Sequence, residues 1–70
     1  MKKDILLKFG SRVRLERKKQ GLSQEKLASL AGVHRTYIGM VERAEKNITL
    51  ENIQKLSNAL KMKVRDLFDL

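Results

Sequence analysis

Residues 1–70 are expected to form one all-α domain, a compact bundle of five short helices. Three features lead there. Apolar residues recur at the three- and four-residue spacing of a helix face in successive short segments, and nowhere alternate as a strand would require. Proline is absent, so nothing breaks those faces from within. The cap-forming residues Ser23 and Thr49 and the helix-ending Gly21 and Gly32 fall in the gaps between the segments.

Residues 5–20 predict the first helix. Ile5, Leu6, Phe9 and Val13 fall on one stripe, and Gly21 is placed to end it in the left-handed conformation. Gly10 lies inside this helix and weakens its propensity. Ser23 caps a second helix over 24–31, with Leu27, Ala28, Leu30 and Ala31 on its apolar side and Gly32 at its end. Only Val33 and one capping position separate it from a third helix over about 35–43, with Ile38 and Val41 inward. A loop at "EKN" follows. Thr49 caps a fourth helix over 50–60, whose core stripe is Leu50, Ile53, Leu56 and Leu60. After "KMK", Val64, Leu67, Phe68 and Leu70 predict a fifth helical turn.

Composition removes several classes of function. There is no cysteine, so neither a disulfide framework nor a Cys-based zinc site can form, and a single histidine cannot build a metal site. Ser, His and Asp show no catalytic arrangement, and the glycines make no phosphate-cradling loop. Glu42 and Glu45 could be read as paired carboxylates, but two Glu on a basic helical protein are usually surface. No apolar run approaches the roughly 20 residues of a membrane span, and "ILL" is too short for a signal peptide. The expectation is a cytoplasmic, non-enzymatic domain with no cofactor, no metal and no small-molecule ligand. The net charge is +8, and it is uneven. Residues 1–21 hold eight basic residues (Lys2, Lys3, Lys8, Arg12, Arg14, Arg17, Lys18, Lys19) against Asp4 and Glu16. Such a field attracts nucleic acid or an anionic membrane; it can also be a solvated helix face.

"LSQEKLASLAGVHRTYIGMVER" resolves that choice geometrically. Two helices of about two turns joined at a glycine make a helix-turn-helix over about 23–43. Ala28 must be small where the helices cross, and Gly32 suits the left-handed turn position. Val33 and Ile38 fill the angle. With Ile38 and Val41 inward, Arg35, Thr36, Gly39 and Met40 are expected to point away from the core. The N-terminal half of the second helix in such a motif enters the DNA major groove. Arg35 can bond guanine O6 and N7 together, and Thr36 offers a hydroxyl and a methyl. Tyr37 is a phosphate or sugar candidate, or packs on a neighbouring helix. Gly39 lets a base edge approach. The basic "RKKQ" stretch is a solvated face or a backbone contact.

The residues also resemble a family. "GLSQEKLASLAGVHRTYIGMVER" is similar to the lambda-repressor/Cro-type helix-turn-helix of bacterial and phage regulators, the xenobiotic-response-element class, over residues 9–68. Its marks are Arg17 ahead of Gly21, Leu22-Ser23-Gln24, Leu27-Ala28, Ala31-Gly32-Val33, and Ile38 with Glu42-Arg43. The resemblance implies a five-helix lambda-repressor-like domain that regulates transcription from a nucleoid-associated setting. Within the family "HRTYIGMVER" in so short a chain looks most like the controller proteins of restriction-modification systems, which are small dimers; phage-type repressors and antitoxins share much of the pattern. It implies base reading by Arg35 and Thr36, and a phosphate or supporting role for Ser23, Gln24, His34, Tyr37, Arg43, Lys46 and Asn47. His34 stands where a smaller cap is usual. The resemblance also implies an Arg17–Glu42 ion pair tying the first helix to the recognition helix. Glu16 departs from the family's usual apolar residue, which leaves the register of the first helix open. The C-terminal apolar set either closes the small core or also meets a second copy through Leu67 and Phe68, as the resemblance favours. The implied partners are double-stranded operator DNA, a second copy and RNA polymerase, with no membrane.

Overall fold

The computed structural model describes residues 4–70, which form α1 (Asp4–Lys19), α2 (Gln24–Ala31), α3 (Arg35–Glu42), α4 (Leu50–Ala59) and α5 (Val64–Leu67), with no strand among them. The residues sit within 31 × 23 × 21 Å. Each start has a local cause. Ser23 Oγ accepts the Lys26 backbone N–H at 2.9 Å, His34 Nδ1 that of Thr36 at 3.2 Å, and Thr49 Oγ1 that of Asn52 at 3.2 Å. Each supplies a partner to a donor the helix leaves open. In α1, Asp4 lies in the first turn and Arg17, Lys18 and Lys19 in the last, the charge order the helix dipole favours.

Four helix ends share one closure. The backbone N–H of Leu22, Val33, Glu45 and Met62 returns to the carbonyl five residues earlier, on Arg17, Ala28, Met40 and Ser57, at 2.8–3.0 Å. The residue before each donor is left-handed: Gly21, Gly32, Ala44 and Lys61. This is the Schellman closure. The two glycines were legible in the sequence; Ala44 and Lys61 adopt the same conformation without glycine's freedom.

The core joins Phe9 and Val13 of α1, Leu27, Ala28 and Ala31 of α2, Ile38 and Val41 of α3, Ile53, Leu56 and Leu60 from α4 and its cap, and Leu67 of α5. Of the residues expected on the inward stripes of α1, α2 and α4, Ile5, Leu6, Leu30 and Leu50 are outside it. Ile5 and Leu30 are half exposed, and Leu50 is 85% exposed. Leu50 is the first residue of α4, where no turn precedes it to cover its side chain. Sixteen-residue α1 is twice the length of α3, so its first turn extends past its partner. The open register of α1 resolves against the apolar pattern: Glu16 is buried and its neighbour Leu15 exposed. Glu16 Oε2 lies 3.1 Å from Arg12 Nε and 3.5 Å from Lys19 Nζ, so its charge is paired where it is buried.

Candidate nucleic-acid interface

α3 is held from behind and open in front. Ile38 and Val41 are buried, while Arg35 and Thr36, in its first turn, are exposed. The Arg35 side chain is 69% exposed, and its guanidinium reaches to within 3.6 Å of Glu25 on α2. The two residues singled out for base reading therefore stand together on the open face.

The frame behind them converges on one carboxylate. Arg17 Nε donates to Glu42 Oε2 at 2.7 Å, and Arg17 Nη2 donates to Glu42 Oε1 at 3.1 Å. Gln24 Nε2 donates to the same Oε1 at 3.1 Å, and Arg17 Nη1 donates to the Leu22 carbonyl at 2.8 Å. Glu42 thus ties α1, the turn after it, the start of α2 and the end of α3. The Glu42 hydrogen bond raises the Arg17 guanidinium above its ordinary value against the opposing effect of burial. A fork held on three sides fixes the angle of α3 more firmly than a single contact could.

Gly39 differs from the expectation. It is buried, because Arg43 lies over it: a Cβ added at Gly39 would stand 3.0 Å from Arg43 Nη1 and 3.6 Å from Gln24 Oε1. Gln24, Arg35, Thr36, Gly39 and Arg43 line one open recess. Arg43 Nη2 in turn donates to Glu45 Oε1 at 3.1 Å, and that bond raises the Arg43 guanidinium above its ordinary value. Met40 is half buried.

Tyr37 is half buried against the core, and its hydroxyl accepts from Asn52 Nδ2 at 3.0 Å. This bond links α3 to the first turn of α4. Lys46 and Asn47 are exposed in the loop leading to α4. Ser23 and His34 are exposed, and both are engaged as helix caps. The sequence reading missed Glu25, Glu45 and Asn52. Glu25 and Asn52 partner residues distant in sequence, so spacing carries no sign of them; Glu45 lies two residues after Arg43, a spacing that marks no pair on a helix.

Several of the basic residues counted over 1–21 are engaged within the fold. Lys2 and Lys3 lie outside the described residues. Arg17 is buried in its pair, Lys19 meets Glu16, and Arg12 Nη1 donates to the Asp69 carbonyl at 2.6 Å. Lys8, Arg14 and Lys18 are exposed. No helix among the described residues is long and apolar enough to cross a membrane.

The C-terminal expectation needs correcting. Leu67 is 0% exposed and belongs to the core, so it offers nothing to a second copy. Phe68 is 37% exposed, with its ring stacked on Phe9 at a centroid distance of 5.0 Å. Four residues of α5 present one side chain fully inward, and that side chain is Leu67.

The helix-turn-helix family model matches residues 13–67. Control protein C.BamHI of Bacillus amyloliquefaciens is 47% identical over 70 residues, spanning 99% of this chain and 86% of that protein. Control protein C.SmaI of Serratia marcescens is 47% identical over 64 residues, spanning 91% of this chain and 76% of that protein. The crystal structure of the restriction-modification controller protein C.AhdI from Aeromonas hydrophila is similar with a TM-score of 0.87 and 52% identity, over 89% of this chain and 94% of that one.

Proposed function

The chain belongs to the helix-turn-helix family of DNA-binding transcription regulators, and on that premise we propose that it is the controller protein of a restriction-modification system. In this reading the whole chain acts as one DNA-binding unit and binds a near-palindromic operator as a homodimer. The likeness to two proteins named control proteins, each 47% identical, supports the narrower role.

The observation that carries the mechanism is the exposure of Arg35 and Thr36 on a helix whose opposite side is locked into the core. A rigid helix presents its first-turn side chains in a fixed register, which lets hydrogen bonds discriminate between bases. Arg35 takes the two acceptors of a guanine, and Thr36 contacts the neighbouring base or its phosphate. Gln24 stands behind them. Ser23, His34, Tyr37, Lys46 and Asn47 face the backbone on either side, beside the N-terminus of α4, whose dipole favours an anion. These contacts set position and salt dependence, and the base contacts set sequence.

A two-fold pair would place two copies of α3 about 34 Å apart, one turn of DNA. Leu7, Leu15 and Leu70, each about half exposed, line an open groove between α1 and the C-terminal end, which supports a second copy on that side; Phe68, 37% exposed, comes just before the lining residues Asp69 and Leu70 in the chain.

Fluorescence anisotropy on an operator selected from random duplexes and on a scrambled duplex tests the reading. Arg35→Ala is expected to cost ~1–3 kcal/mol on the operator and little on the scrambled duplex. Equal losses on both would refute base reading by Arg35.

A further inference from the structure

We propose that Arg43 is a second base-reading residue, projected over the bare backbone of Gly39 and positioned by Glu45. This deepens the DNA-binding reading above and rests on it. The family resemblance groups Arg43 with the phosphate clamp at the far end of the recognition helix; in the structure its guanidinium lies over Gly39, beside the recess that Arg35 and Thr36 line.

Three observations carry the assignment. First, Arg43 doubles back one turn along α3 rather than extending past its end. Its Nη1 stands 3.0 Å, and its Cζ 3.7 Å, from the place where a Cβ of residue 39 would be. In an α-helix a side chain leans toward the N-terminal turn, so a residue four positions on covers the surface of the residue before it. With no side chain at Gly39, the guanidinium occupies the space that a residue at position 39 would use to reach the groove.

Second, the recess beneath that guanidinium is the one lined by Arg35, Thr36 and Gln24. A duplex seated with its base edges against Arg35 and Thr36 brings a neighbouring base, not only phosphates, against Arg43. The planar fork then matches the two acceptors of a guanine.

Third, Arg43 is not left to sweep the solvent. Its Nη2 donates to Glu45 Oε1 at 3.1 Å. That leaves Nη1, the nitrogen over Gly39, on the side of the recess. Holding one nitrogen of the fork reduces the rotamer freedom that binding would otherwise have to remove. The pair is exposed, so Glu45 acts through orientation more than through attraction.

The chemistry predicted is a second guanine preference, offset along the site from the one set by Arg35. Selection from a random duplex pool, run on the full chain as wild type, Arg43→Lys, Gly39→Gln and Arg35→Ala, tests this. Arg43→Lys keeps the charge but loses the fork; it should relax preference about tenfold or more at one base pair, leaving the position governed by Arg35 intact. Gly39→Gln, which fills the space Arg43 uses, should alter the same base pair. The slope of log affinity against log salt should stay within a few tenths of wild type for Arg43→Ala. A phosphate role gives another pattern: every base preference survives Arg43→Lys, and Arg43→Ala lowers the slope by about 0.9. That pattern overturns the proposal. Should the wild type itself select no sequence, the DNA-reading function fails; should Arg35→Ala relax its position while Arg43→Lys relaxes none, only the role of Arg43 fails.

Discussion

The backbone of Gly10 lies directly against the carbonyl oxygen of Val41: a methyl group there would collide with it, and with the Glu42 carbonyl at 3.0 Å. Neither neighbour is a flexible side chain. α1 can approach the end of α3 this closely only because residue 10 has no Cβ. Gly10→Ala should therefore push the two helices apart, despite alanine's better helix propensity. The expected loss is ~1–3 kcal/mol, the usual range for overpacking. In a domain of this size that lowers Tm by roughly 4–24 °C. A Tm within 2 °C or so of wild type would show that the helices can separate at little cost.

Glu42 accepts from both Arg17 and Gln24, so Glu42→Gln removes the charge that the buried guanidinium needs. The expected loss is ~2–4 kcal/mol, most of it the cost of leaving Arg17 buried without its counter-ion. Replacing both residues with apolar ones of similar volume should cost less than Glu42→Gln alone, and urea unfolding of the set gives the coupling. The pH dependence has a definite sign. Because the folded protein raises the Arg17 guanidinium, its contribution is complete at every pH below the ordinary guanidinium value and is lost only as pH climbs through the raised one. The Arg17 side of the pair thus stays constant across the neutral range.

Leu67 and Phe68 are adjacent but should respond differently. Leu67→Ala empties a fully buried site and is expected to cost ~2–4 kcal/mol of monomer stability. Phe68→Ser removes a ring that is partly exposed and stacked on Phe9. If a second copy docks there, it should weaken self-association severalfold while costing less in stability than Leu67→Ala. Sedimentation equilibrium beside thermal unfolding separates the two; an unchanged dimer constant in Phe68→Ser would remove Phe68 from the interface.

Much of the local order was legible in the chain. Ser23 and Thr49 cap because their hydroxyls sit one residue before a helix begins, and Gly21 and Gly32 turn because glycine alone enters the left-handed region freely. Ala44 and Lys61 were not legible as turn residues, since neither type favours that conformation; in the structure the backbone bonds from Glu45 to Met40 and from Met62 to Ser57 close around them. The Arg17–Glu42 pair came from the family pattern, and its distance from the structure.

By itself the sequence determined the five helices, the turn between the second and third, and the exposed first-turn pair Arg35 and Thr36. Those follow from spacing along a chain, where periods and caps act over a few residues. Only the tertiary structure decided that Glu16 faces in and Leu15 out, that Leu67 belongs to the core, and that Arg43 covers Gly39. Each of these depends on what another segment places opposite a residue. Close packing leaves room for one partner there, and a local pattern does not carry the partner's identity.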